Sequence, residues 1–147
     1  MATDNVFITG HSAAKPLAGA DRVFLLEKVC DFAGKTLVAA DIYPALQVKK
    51  DWVVLQTRIE MVTAAVGTAL TADIGDGAGA TSFDAAIDLK GAAGTEYSSL
   101  IGTDAYVAGG AGKRYAADDT IDIKLNTVTA VTGNPKVIAR ALVLDLS

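Results

Sequence analysis

Apolar and polar side chains alternate along much of the chain with the period of two that is typical of β-strands. The clearest example is residues 120–128, where Ile121, Ile123 and Leu125 share one side of a predicted strand and the charged residues between them lie on the other. The same pattern, in places weaker, predicts further strands at residues 22–32, 36–40, 42–48, 52–62, 69–74, 86–89, 96–101, 105–108 and 136–146.

Glycine, asparagine and aspartate turns separate these short strands. Many short strands at regular spacing indicate an all-β fold, and we expect residues 21–147 to form one antiparallel β-sandwich of jelly-roll-like architecture. Residues 1–20 read instead as an extended N-terminal arm. Because Val6, Phe7 and Ile8 are apolar in an otherwise small and polar segment, we expect them to dock on a neighbouring chain.

The closing strand, residues 136–146, is apolar on both sides except for Arg140 and Asp145. Such a strand needs cover on both sides. It is therefore either central in its sheet or covered by another subunit. We expect one side to pack in the core, and we predict that Arg140 and Leu142, on the other side, contact a partner.

Composition excludes several classes of protein. The chain of 147 residues has a formal net charge of -4, and its 13 basic residues are scattered, which argues against nucleic-acid binding. We expect no membrane span, because every apolar run ends well short of about 20 residues. The N-terminus does not resemble a secretion signal. Cys30, the single cysteine, is predicted to be a small buried apolar residue.

The sequence offers little support for a catalytic or ligand-binding site. His11, the single histidine, lies in the predicted arm, where a catalytic base is not expected. Asp73-Ile-Gly-Asp-Gly resembles a calcium loop only loosely, since no glutamate closes it, and a β-turn is the better interpretation. The segment that begins at Val6 lacks the glycines of a dinucleotide fingerprint. We predict no catalytic residue, no cofactor and no metal site.

A family resemblance remains. Four segments carry it: the first strand, the segment 52–74 with Thr-Ala-Asp-Ile-Gly-Asp-Gly at its end, the segment Ala-Tyr-Val-Ala-Gly-Gly-Ala-Gly-Lys-Arg-Tyr, and the closing Lys-Val-Ile-Ala-Arg-Ala-Leu-Val-Leu-Asp-Leu. These segments resemble the small β-sandwich decoration, or cement, proteins of tailed bacteriophages. The resemblance implies a non-enzymatic virion protein on the capsid exterior, assembled in the host cytoplasm. It implies the major capsid protein as partner and self-association as a trimer or dimer.

Other functions stay open at this point. Another virion component, such as a tail-tube or head-fibre protein, would have a similar composition. A carbohydrate-binding β-sandwich module is the alternative from a different class, and an enzyme of unknown type is a third.

Overall fold

The computed structural model describes residues 22–98 and 112–147, and within these ranges it is all-β. Nine strands follow one another in the described ranges: β1 (Arg22–Asp31), β2 (Ile42–Val48), β3 (Trp52–Thr63), β4 (Ala69–Gly75), β5 (Asp84–Asp88), β6 (Glu96–Ser98), β7 (Lys113–Arg114), β8 (Asp119–Thr129) and β9 (Lys136–Asp145). The described ranges contain no helix that could cross a lipid bilayer.

The strands form two sheets in which every pair is antiparallel. One sheet has five strands in the order β1-β9-β3-β6, and the short β7 also pairs with β3. The other has four strands in the order β2-β8-β4-β5. The first strands of the chain thus lie beside the last ones, and β1 and β2 belong to opposite sheets. With β7 set aside, this is the strand order of a jelly roll, as the sequence predicts.

The core lies between the two sheets and follows the period of two. In β8 the side chains of Ile121, Ile123 and Leu125 are buried, as predicted. In β9 every second residue is buried from Val137 to Asp145, and the residues between them are half-buried. β9 pairs with β1 on one side and β3 on the other. Of the two predicted alternatives, the structure therefore shows the central position.

One sequence prediction differs from the structure. Residues 36–40 form no strand, because this loop bonds to residues far along the chain: Asn134 donates to the Lys35 carbonyl, and the N–H of Ala40, whose φ is 73°, donates to the Leu125 carbonyl. The predicted strand at residues 86–89 is present as β5. The predicted strand 96–101 is described as β6 only to Ser98, and the predicted strand 105–108 lies outside the described residues.

A matched pair of isoleucine truncations tests the assignment of the core. Ile123 in β8 is 1% exposed, and Ile42 in β2 is 56% exposed. We expect Ile123→Ala to lower the free energy of unfolding by about 2–5 kcal/mol, because it leaves a cavity in a packed core. Ile42→Ala should cost well under about 1 kcal/mol. Urea unfolding followed by tryptophan fluorescence measures both, and equal losses would contradict the proposed core.

Candidate interaction surface

The outward-facing side of the five-stranded sheet carries both apolar and charged side chains. We call it the outer face. Its residues come from alternate positions of four strands: Val23, Leu25, Glu27 and Val29 of β1, Ile138, Arg140, Leu142 and Leu144 of β9, Gln56, Arg58 and Glu60 of β3, and Glu96 and Ser98 of β6. The core residues occupy the intervening positions, so the outer face is the side that the sandwich leaves uncovered.

Strand register places Arg140 at the centre of this face. Glu27 lies directly opposite it across the β1–β9 pair, and Arg58 lies directly opposite it across the β9–β3 pair. Two like charges directly opposite one another destabilise a sheet. Here the carboxylate of Glu96 lies near both guanidinium groups, and Glu60 pairs with Arg140.

The contacts within this cluster are short. Arg140 donates from Nε to Glu27 Oε2 at 2.7 Å and from Nη1 to Glu60 Oε2 at 2.6 Å. Arg58 Nη2 donates to Glu96 Oε2 at 2.7 Å, and Arg140 Nη1 lies 3.9 Å from Glu96 Oε1. The bonds to Glu27 and Glu60 raise the pKa of Arg140 above its ordinary value. We call these five residues the Arg140 cluster.

Apolar side chains border the Arg140 cluster on one side. Leu142 lies directly opposite Leu25 on β1 and opposite Gln56 on β3. Leu25, Leu142 and the side chains of the cluster on β3, β6 and β9 line a depression of about 370 Å³. Because Leu25 and Leu142 are only half-buried, the depression offers a partner apolar contact beside charges that are already paired.

Two aspartates, one in β4 and one directly after it, have structural roles. Asp76 is buried and accepts hydrogen bonds from the backbone N–H groups of Ala78 and Gly79 and from the Tyr115 hydroxyl. Asp73 Oδ1 accepts from the Ala86 N–H. Asp76 therefore holds the turn that the sequence predicts, and Asp73 binds β5. Within residues 22–98 and 112–147, no group of three or more histidine, cysteine, aspartate or glutamate side chains is arranged to hold a metal ion.

Cys30 is half-buried, so it is less enclosed than predicted. Its side of β1 is buried at Phe24 and Leu26 but opens to solvent at Lys28. Burial raises the pKa of the Cys30 thiol, although the nearby Lys28 charge acts in the opposite direction.

The structure brings two of the five predicted contact residues together. Arg140 and Leu142 are neighbours on the outer face of β9 and border the same depression. Val6, Phe7 and Ile8 lie outside the described residues. Glu27 and Glu96 were not identified from the sequence, because only the pairing of distant strands brings them to Arg140. The one available signal was the polar side of β3, with Arg58 and Glu60.

Fold and surface together define a class: a small antiparallel jelly roll whose outer face carries ion pairs between neighbouring strands. No protein-family model matches the chain, and no curated protein matches it. Solved structures do share its fold. A chain in the capsid of Ralstonia phage GP4 has a TM-score of 0.63 and 13% identity, over 90% of this chain and 88% of that one.

Two further structures are similar. A chain in the cyanophage Pam1 capsid asymmetric unit has a TM-score of 0.57 and 17% identity, over 92% of this chain and 96% of that one. A chain in the acidic stable capsid structure of Helicobacter pylori bacteriophage KHP30 has a TM-score of 0.54 and 12% identity, over 85% and 89% of the two chains. At these identities the likeness establishes the fold.

A double-mutant cycle tests the Arg140 cluster. We expect Arg140→Met and Glu60→Gln to show a coupling of about 1 kcal/mol in the free energy of unfolding, because the side chains are only 20% and 29% exposed and belong to a network. The control pair is Lys49 and Asp118, which are 53% and 63% exposed at 3.1 Å. Their coupling should lie below about 0.5 kcal/mol. Equal couplings would show that the cluster is an ordinary surface pair.

Asp145 gives a pH-dependent prediction. Burial acts to raise its pKa, but hydrogen bonds from Ser147 and from Arg22 outweigh burial and lower it. The folded state therefore gains stability from ionised Asp145 above the unfolded pKa of about 3.9 and loses it as the pH falls further. Asp145→Asn should be less stable than the wild type at pH 7, and the difference should shrink towards pH 2. A difference independent of pH, measured by urea unfolding, would contradict this.

Proposed function

We propose that this chain is a structural protein of a bacteriophage virion and that it decorates or cements the exterior of the capsid by binding the major capsid protein. The observation that supports this most directly is the match, nearly end to end, to chains of similar length in three phage capsid structures. The likeness extends over most of both chains in each case, so it is not confined to a domain inserted in a larger protein.

The comparison favours a capsid location over the other virion positions. All three structures are described as capsids, and none of the three is described as a tail tube or a head fibre. A structural rather than an enzymatic role also fits the surface, since the described ionic side chains of the outer face bind one another instead of surrounding a reactive group.

The outer face suits repeated, individually weak contacts. The two guanidinium groups and three carboxylates of the Arg140 cluster are all in ion pairs within the sheet, so a partner does not have to neutralise each of them. The apolar contribution comes from half-buried side chains, of which Leu142 is central. Contacts of this kind stabilise a shell through their number rather than through one tight site. In the same proposal, Val6, Phe7 and Ile8 of the arm dock on a neighbouring chain.

A carbohydrate-binding module has less support. Sugar-binding sandwiches use exposed aromatic rings as platforms, but Trp52 packs edge-on against Phe24 with ring centroids 4.8 Å apart. Tyr43 packs in the same way against Phe32 at 5.0 Å. These rings therefore complete the core instead of presenting a flat face to a ligand.

Cosedimentation with empty shells of the major capsid protein from the same phage tests the proposal. We expect the full chain to sediment with the shells. Leu142→Lys should weaken binding at least tenfold, because it places a charge in the apolar part of the contact. Ile42→Lys, at an exposed position on the other sheet, is the matched control and should bind like the wild type.

Deletion of residues 1–19 completes the experiment. The truncated chain should keep the unfolding transition of the sandwich but bind shells more weakly. If the intact chain does not bind shells at all and instead binds sugars on a glycan array, the carbohydrate-binding alternative replaces the proposal. If truncation leaves shell binding unchanged, the arm is not an anchor.

A further inference from the structure

Strand β1 has an open edge that differs from the other outermost strands. Its ten residues pair with β9 without any irregularity, and none of the described residues pairs with its other side. By contrast, β2 contains Pro44 and a register shift, β5 has only five residues and a register shift, and β6 has three residues. Long, regular edges without a proline or a bulge are templates for pairing with another strand.

Exposed apolar side chains lie along this edge in a symmetric arrangement. Val23 and Val29 are 37% and 54% exposed and both point to the outer face. They lie three residues before and three residues after Leu26. If a second β1 pairs antiparallel about a two-fold axis at Leu26, each Val23 lies directly opposite the other copy's Val29.

The neighbouring registers are less favourable. Residues that lie opposite one another in an antiparallel pair must point to the same side of the sheet. The two-fold axis can therefore lie at a residue of β1 but not between two residues. An axis at Glu27 places the two Glu27 carboxylates directly opposite one another, which is repulsive. An axis at Leu25 places Val23 opposite Glu27. With the axis at Leu26, Glu27 lies opposite Leu25 and keeps its bond to Arg140.

The side chains of β1 that face inward are also compatible with this register. Leu26 then lies opposite Leu26 of the second copy, and Phe24 lies opposite Lys28. On this side β1 borders a depression of about 420 Å³ between the two sheets, lined by Leu26, Ala45, Leu46 and Trp52 together with Lys28 and Lys49. The aliphatic stem of a lysine can cover apolar surface while its charge stays in water, so Lys28 of the second copy would cover the apolar part of this rim with its charge directed to solvent, away from these two lysines.

We propose that β1 binds a second copy of this chain by antiparallel β1–β1 pairing about a two-fold axis at Leu26, which joins the two five-stranded sheets into one. The inference rests on β1 alone and is independent of the proposed role on the capsid. The purified chain therefore tests it without any shell.

Disulfide cross-linking tests the register. In a Cys30→Ser background, Val23→Cys protein is mixed with an affinity-tagged Val29→Cys protein under mild oxidation. Directly opposed residues have Cα atoms about 4.5–5.5 Å apart, within disulfide range. Two Val23 positions are separated by about 20 Å along the strand. We expect mixed dimers, and little dimer from either variant alone. No mixed dimer, or efficient dimer from Val23→Cys alone, overturns the proposal.

Sedimentation equilibrium tests the association itself. Val29→Lys should weaken dimerisation at least tenfold, because it removes the apolar contact with Val23 of the second copy and places a charge there. Val38→Lys is the matched control, since Val38 is 51% exposed in the loop between β1 and β2, and it should dimerise like the wild type. A monomeric wild type, or equal dimerisation of both variants, contradicts the proposal.

The arm is the competing occupant of this edge. Deletion of residues 1–20 should leave the dimer intact. If the deletion abolishes dimerisation, or if a Phe7→Cys arm cross-links to Val23→Cys or Val29→Cys in place of the mixed dimer, the edge binds the arm and β1–β1 pairing is wrong.

Discussion

The pairing of β9 with both β1 and β3 is the interaction on which the rest of the structure depends. It brings the end of the chain between two early strands and fixes which side of each faces the core. A slip of one residue would turn Arg140 inward and Ala139 outward. Burying an unpaired guanidinium costs several kcal/mol, so Arg140 itself opposes the wrong register. The same residue that identifies the outer face therefore also helps to set it.

The composition of β9 follows from this central position. Its core side carries valine and alanine, all at most 2% exposed, and its outer side carries larger side chains that remain half-buried. Neighbouring strands supply part of their cover, since Leu25 lies beside Leu142 and Val23 beside Leu144. A strand that is apolar on both sides thus results from a central place in one sheet with a partly covered outer face. The remaining exposure of that face is what makes it a candidate surface.

The local pattern of apolar and polar residues is sufficient to locate most strands, but it is insufficient to predict how the strands are arranged in the sheets. Period-two alternation located β3 and assigned Arg58 and Glu60 correctly to the polar side, because side-chain direction depends only on the strand itself. Alternation alone would place Leu55 on the buried side with Thr57 and Ile59, but Leu55 sits at a register shift between Val54 and Gln56 and is only half-buried. Such a shift depends on the partner strand, so a single strand's sequence does not show it.

The Arg140 cluster illustrates the same limit at the level of the site. Arg140 was identifiable because it interrupts an apolar strand. Its partners Glu27 and Glu96 are separated from it by more than forty residues, and only the order β1-β9-β3-β6 gathers them. The predicted strand at residues 36–40 is absent for a related reason. The backbone groups of this loop bond to Asn134 and Leu125, which lie far along the chain.

The two proposed surfaces reinforce one another through β1. Its side chains at Val23, Leu25 and Glu27 belong to the outer face, and its open backbone edge is the proposed site for a second copy. In antiparallel pairing about a two-fold axis normal to the sheet, the two outer faces point to the same side. A dimer would then present two Arg140 clusters and two Leu142 side chains in one continuous surface. Linked contacts of this kind raise the apparent affinity for a repeating partner without any new contact, so weak individual sites would suffice for attachment to a shell.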